Sequence, residues 1–203
     1  CSGTIFGYTP TSNTSGATYA WTRAAITSIN GNTGGSGSGS VSEVLTNSST
    51  SPVNVTYVYT VSANGCTNAS TYSVVVTVNP TPVLTSTVSP ASICSGSTFS
   101  YTPTSSTSGA TYAWSRAAVA GISNTAATGS GNPNETLTNT TTAPINVTYV
   151  YTVSANGCTN AGTYSVVVTV NPTPQLTSTL SPSAICSGTI FGYTPTSNTS
   201  GAT

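Results

Sequence analysis

The sequence predicts an all-β chain of tandem sandwich domains, and three observations carry that prediction. The 203-residue chain repeats itself at a step of about 92 residues, the size of one small sandwich that folds by itself and far longer than a solenoid turn. Runs rich in Val, Ile, Tyr and Thr alternate apolar with polar residues, the period of a half-buried strand. Stretches rich in Gly, Ser and Asn separate those runs, and none has the apolar spacing of a helix.

The repeat is read directly from the letters. Cys1 to Thr18 (CSGTIFGYTPTSNTSGAT) recurs unchanged at Cys186 to Thr203, and a close variant begins at Cys94, giving steps of 93 and 92 residues. Val55 to Ala69 returns at Val147 to Ala161, and Thr71 to Pro82 at Thr163 to Pro174. The units are framed by Asn79-Pro80-Thr81-Pro82 and Asn171-Pro172-Thr173-Pro174, where proline removes backbone donors and holds the chain extended. These read as short, stiff linkers. They divide the chain into residues 1–82, a repeat lacking its first strand, 83–174, a complete repeat, and 175–203, the start of a third. An array that starts and stops inside a unit is expected to continue in both directions.

Within the complete repeat, strands are expected at Val83–Val88, Thr98–Thr104, Ala110–Arg116, Glu135–Asn139, Asn146–Ser154 and Tyr164–Val170. Alternation puts Val147, Tyr149, Tyr151 and Val153 on one face of their strand, and Thr148, Val150 and Thr152 on the other. Ala155-Asn156-Gly157 then turns the chain into the last strand, since Asn-Gly favours a tight primed hairpin turn. The pattern is that of the F–G hairpin of an Ig-like sandwich. Trp21 and Trp114, on the third strand, are the expected core anchors, one per domain.

The order CSG, TYAW, a Tyr-rich VTYVYTV strand, NGC and a closing VVVTVNPTP resembles the PKD-like and related Ig-like repeats of very large secreted surface proteins of Bacteroidetes, over the whole of both repeats. The resemblance implies Ig-like β-sandwiches that serve as spacers, adhesin stalks or fibre subunits. In one respect the chain departs from it. The acidic Trp-Asp-Phe-Gly-Asp-Gly signature of PKD domains proper is replaced by Trp21-Thr22-Arg23-Ala24, so no metal or polar role of those aspartates carries over.

Composition narrows the chemistry. The chain holds two Arg, two Glu and no Lys, Asp, His or Met, which leaves almost nothing for general acid–base work or for activating a Ser or Thr nucleophile. No enzyme activity and no cofactor are expected. Metal binding is not expected either, because Glu43 and Glu135 lie in different repeats and no His is present. Balanced charge provides no basic stripe for nucleic acid. No run of 18 apolar residues offers a membrane span.

The five cysteines form two classes, Cys1, Cys94 and Cys186 in CSG and Cys66 and Cys158 in NGC. A secreted context and one of each class per repeat point to disulfides. In an Ig-like sandwich the A–B turn, where CSG lies, and the F–G hairpin, where NGC lies, sit at opposite poles, whereas a disulfide spans only about 4.4–6.8 Å between Cα atoms. In a head-to-tail array those poles of successive domains face each other. The inter-repeat pair Cys1–Cys158 is therefore favoured over the intra-repeat pairs Cys1–Cys66 and Cys94–Cys158.

Arg23 and Arg116 each follow a tryptophan by two residues, and Glu43 and Glu135 each precede a leucine by two. One Arg–Glu pair per domain at the edge of the core is expected, with the guanidinium over an aromatic ring. Asn-X-Ser/Thr sequons stand at Asn13, Asn47, Asn54, Asn68, Asn134, Asn139, Asn146 and Asn198, a pattern that a chain this rich in Asn, Ser and Thr also generates by chance. Tyr57, Tyr59, Tyr149 and Tyr151 would offer a sugar-stacking platform if exposed.

Together these features point to a repetitive extracellular fibre or cell-surface adhesin stalk. Its expected partners are the neighbouring repeats and, through self-association, other copies, since the lack of net charge removes long-range repulsion. The alternative is an array of carbohydrate-binding modules with a surface glycan as partner.

Overall fold

The computed structural model describes residues 1–203 and contains fifteen strands and no helix. In the first repeat these are β1 (Thr4–Tyr8), β2 (Thr18–Arg23), β3 (Gly35–Ser38), β4 (Val41–Leu45), β5 (Val53–Ala63), β6 (Cys66–Thr67) and β7 (Tyr72–Val78). β1 pairs with β4 in one sheet; the other runs β3-β2-β5, with β6 and β7 both paired to β5. The second repeat uses β8 (Ile93–Cys94), β9 (Ser97–Phe99), β10 (Thr111–Arg116), β11 (Ala127–Ser130), β12 (Glu135–Leu137), β13 (Ile145–Ala155), β14 (Cys158–Thr159) and β15 (Tyr164–Asn171). Here β9 pairs with β12, and the larger sheet runs β11-β10-β13-β15-β8, with β14 on β13.

Alternation on the long strand builds each core. Val55, Tyr57 and Tyr59 of β5, and Val147, Tyr149, Tyr151 and Val153 of β13, are all buried, while the intervening threonines and valines are only partly covered. Tyr57 packs against Phe6 and edge-on to Trp21, with ring centroids 5.3 and 5.4 Å apart. Tyr149 does the same with Phe99 and Trp114, at 5.1 and 5.4 Å. Both residues of the Asn156-Gly157 turn have positive φ, 52° and 77°, as a type I′ hairpin turn requires.

Four segments differ from the sequence expectation. Val83–Val88 is not a strand: Pro82 and Pro90 bracket it, and its backbone bonds are isolated ones, Thr85 N to Thr104 O and Val167 N to Val88 O. The strand expected at Thr98–Thr104 stops at Phe99, because Pro103 has no N–H and the Tyr101 N–H donates instead to Asn132 Oδ1 at 2.8 Å. Conversely, the glycine-rich stretches at 35–38 and 127–130 form β3 and β11. Gly37 lies opposite Trp21 and Gly129 opposite Trp114. A Cβ at those glycines would fall 2.7 and 2.6 Å from Cζ2 of the facing indole, so the ring itself fills the strand face that glycine leaves bare.

The chain clusters into two compact units. One comprises Cys1–Thr85 with Thr104–Thr111 and Val153–Ala161; the other comprises Ser86–Pro103, Tyr112–Thr152 and Gly162–Thr203.

Candidate functional site

In the first unit Ser2 N donates to Asn79 O and Gly3 N to Leu45 O, each at 2.8 Å, which pins Cys1 beside the C-terminal end of β7. Cys66 lies at the other end of β5: Val53 pairs with Val78, whereas Ala63 pairs with Cys66. Ten residues of strand separate the two positions, roughly 33 Å at the rise of a β-strand. That distance is several times what a disulfide spans.

Cys1 is instead bonded to Cys158, with S–S 2.11 Å and Cα–Cα 5.6 Å. Two side-chain bonds flank this staple: Asn79 Nδ2 donates to Asn156 O at 2.7 Å, and Asn160 Nδ2 donates to Pro82 O at 2.9 Å. The tip of the β13–β14 hairpin thus holds both the CSG loop and the proline linker within one compact unit. Cys66, Cys94 and Cys186 stand as exposed free thiols. The observed bond joins a CSG cysteine to an NGC cysteine 157 residues later, and no residue of this chain stands in that relation to the other three.

The charged residues form one clamp per repeat. Arg23 Nε and Nη2 donate to the two carboxylate oxygens of Glu43 at 3.1 and 3.3 Å, Nη1 donates to Thr33 O, and Tyr57 Oη donates to Glu43 Oε2. In the second clamp Arg116 grips Glu135 with two bonds of 2.9 Å and also donates to Thr125 O and Ala117 O. Tyr149 Oη donates to Glu135 Oε2 at 2.7 Å, and the Arg116 guanidinium lies 5.9 Å from the Tyr149 ring centroid. The Arg116 side chain is 1% exposed and that of Glu135 18%.

These contacts shift the titrations in opposite directions. Burial pushes the Glu43 carboxyl up, but the bonds from Arg23 and Tyr57 and the charge of Arg23 outweigh it and hold the group below its ordinary value. For Glu135 the bond from Arg116 leads, opposed by burial and reinforced by Tyr149, with the same downward result. Burial, followed by the adjacent carboxylate, drives the phenols of Tyr57 and Tyr149 far above their ordinary value. No carboxylate is left poised near neutral pH.

Sequence reading missed an asparagine knot in each repeat. Asn47 Nδ2 donates to Ser51 O and Val78 O, and its Oδ1 accepts from the N–H and hydroxyl of Ser49. Asn139 repeats the pattern with Ala143 O, Val170 O and Thr141. All four bonding positions of each amide are used. Both residues are buried, so these two sequons are structural and closed to glycans. Asn13, Asn54, Asn68, Asn134, Asn146 and Asn198 are exposed. Tyr57, Tyr59, Tyr149 and Tyr151 are buried core residues and form no stacking platform. Trp21 and Trp114 are also in the core, and their indole N–H groups have no hydrogen-bond partner.

The geometry is that of a repeated sandwich with its polar chemistry spent on internal clamps. No curated protein matches the chain. The family model of the PKD-like domain matches twice, over residues 1–82 and 91–174, and the chain belongs to that family.

Proposed function

We propose that this chain is a load-bearing segment of an extracellular fibre or adhesin stalk, in which disulfides between successive repeats shield the sandwiches from force. The observation that carries the reading is the Cys1–Cys158 bond, which encloses nearly both repeats in one covalent loop. A tension applied at the ends passes through the sulfurs and leaves the strands inside the loop unloaded. A stable disulfide also fits an oxidising compartment. The two arginines, the only tryptic sites, are both buried, which suits a protein exposed to proteases.

Single-molecule stretching of the full chain by its two ends tests this. Only the 45 residues after Cys158 lie outside the loop, so the oxidised chain should release roughly 150 Å of contour. The reduced chain should release up to roughly 700 Å. Equal release in both states would remove the load-bearing role.

A further inference from the structure

The Cys1–Cys158 bond is interleaved with other cysteines, since Cys66 and Cys94 both lie between its two ends, which are 157 residues apart. Nearness along the chain disfavours such a pair. In an unfolded chain the frequency of loop closure falls roughly as the three-halves power of loop length. Cys66–Cys94 and Cys158–Cys186, each 28 residues apart, should therefore meet about 13 times as often as Cys1 and Cys158. Cys1–Cys66 and Cys94–Cys158, 65 and 64 residues apart, should meet about four times as often.

Folding reverses that preference. With Val53 paired to Val78 and Ala63 to Cys66, β5 holds Cys66 roughly 33 Å from Cys1. In the second repeat Val170 pairs with both Ile93 and Ile145, and Ala155 pairs with Cys158, so the length of β13 stands between Cys94 and Cys158. Either intra-repeat bond forbids the sheet of its own repeat, and the sheet forbids the bond. Cys1 and Cys158 are meanwhile brought together by contacts that involve no sulfur: Ser2 N to Asn79 O, Asn79 Nδ2 to Asn156 O, and Asn160 Nδ2 to Pro82 O. The sandwich core does not contain the bond either. Trp21, Ile29, Leu45, Val55, Tyr57 and Tyr59 close the first repeat without it.

We propose that the staple is a post-folding modification: both repeats fold with their thiols reduced, the β13–β14 hairpin tip docks on the CSG loop, and a disulfide oxidant then joins Cys1 to Cys158. The proposal rests on the bond itself and not on the load-bearing reading. Folding has the time to run first, because β-sandwiches fold in milliseconds to seconds whereas disulfides form in seconds to hours. A chain oxidised ahead of folding reaches the native bond only by thiol–disulfide exchange. Disulfide isomerisation is therefore the class of reaction that must act on such a chain.

A low-molecular-weight disulfide, RSSR, is the oxidant. One cysteine thiolate attacks it and releases RS⁻; the second thiolate attacks the resulting mixed disulfide and releases the other RS⁻. Both leaving thiolates take up the protons lost by the cysteines, so two Cys-SH and RSSR give one Cys–Cys bond and two RSH.

The test oxidises the full reduced chain with oxidised glutathione from two starting points, folded in buffer and unfolded in urea, and maps thiol-blocked tryptic peptides without reduction. Tryptophan fluorescence first reads whether the reduced chain is folded in buffer. The folded arm should give peptide 1–23 joined to 117–203 through Cys158 as its main link, with Cys1–Cys66 and Cys94–Cys158 at least about tenfold rarer. The unfolded arm should invert the order, bonds inside 24–116 and inside 117–203 each being about 13 times as frequent as Cys1–Cys158. Chains carrying Cys1–Cys66 or Cys94–Cys158 should regain the folded fluorescence after urea is removed only when reduced glutathione is present. The Cys1→Ser chain, oxidised while folded, should leave Cys158 unlinked to Cys94. A native bond that leads in the unfolded arm, intra-repeat bonds in the folded arm or in Cys1→Ser, or a reduced chain that is unfolded without urea would overturn the proposal. The force measurement starts from a chain already oxidised, so its outcome is independent of the order in which folding and bonding occur.

Discussion

Replacing Glu135 by leucine removes the carboxylate and nearly preserves side-chain volume, which isolates the clamp from the packing around it. Arg116 then loses two bonds of 2.9 Å, the Tyr149 hydroxyl loses its acceptor, and the guanidinium keeps only Thr125 O and Ala117 O. With the arginine side chain 1% exposed, water cannot replace the lost partner. Breaking one side of such a pair costs about 3–5 kcal/mol. For a domain of this size each kcal/mol moves the thermal midpoint by about 4–8 °C, so the second repeat should melt at least about 12 °C lower. Thermal and urea unfolding of the reduced chain, followed by tryptophan fluorescence, reads the change. The double variant Arg116→Met/Glu135→Leu should recover most of the loss, because no buried charge remains. A single variant within about 0.5 kcal/mol of the parent, or a double variant as damaged as the sum of its parts, would refute a buried, mutually dependent pair.

Other outcomes follow from the same geometry. Gly129→Ala forces a Cβ to 2.6 Å from the Trp114 ring and should cost about 1–3 kcal/mol in chemical denaturation; Gly7→Ala, with nothing within 4 Å, should be neutral or slightly stabilising. Asn139→Ala strands the carbonyls of Val170 and Ala143 and should cost about 1–3 kcal/mol, with faster amide exchange near Val170. Stability should be flat between about pH 6 and pH 9. Glu43 and Glu135 have folded values below the ordinary 4.5, so their stabilisation is present above about that pH and is lost as pH falls below it. Tyr57 and Tyr149 are raised from 10.0, so theirs is complete below about that pH and fades as pH climbs above it. Urea midpoints across the range give the curve, and a transition near pH 7 would contradict it.

The features legible in the sequence were those set by period and repetition. Alternation in INVTYVYTVSA fixes which residues of β13 are buried, and Asn156-Gly157 fixes its turn. What escaped depends on contacts between residues distant in sequence. Gly35–Ser38 reads as a loop until Trp21 is laid across Gly37; a glycine 16 residues after Trp21 and 15 after Trp114 was the available signal. Asn47 and Asn139 resemble ordinary surface sequons, and only the fold brings Val78 O and Val170 O to their amides. Val83–Val88 has the alternation of a strand, but the flanking prolines leave it bonded singly rather than in a ladder. The charge clamp was signalled by Arg and Glu held at equivalent places in an otherwise almost uncharged repeat, while the tyrosine hydroxyl that completes it was not.

The staple between CSG and NGC cysteines is the centre of this view of the protein, and the scarcity of arginine makes it simple to test. Trypsin divides the chain after Arg23 and Arg116 into peptides 1–23, 24–116 and 117–203. Mass spectrometry of a non-reducing tryptic digest of the unfolded, thiol-blocked chain should find peptide 1–23 attached to peptide 117–203 and released by reductant, with fragmentation of the linked pair placing the bond at Cys158 and the blocking group at Cys186. Peptide 1–23 attached instead to 24–116, through Cys66, would contradict it.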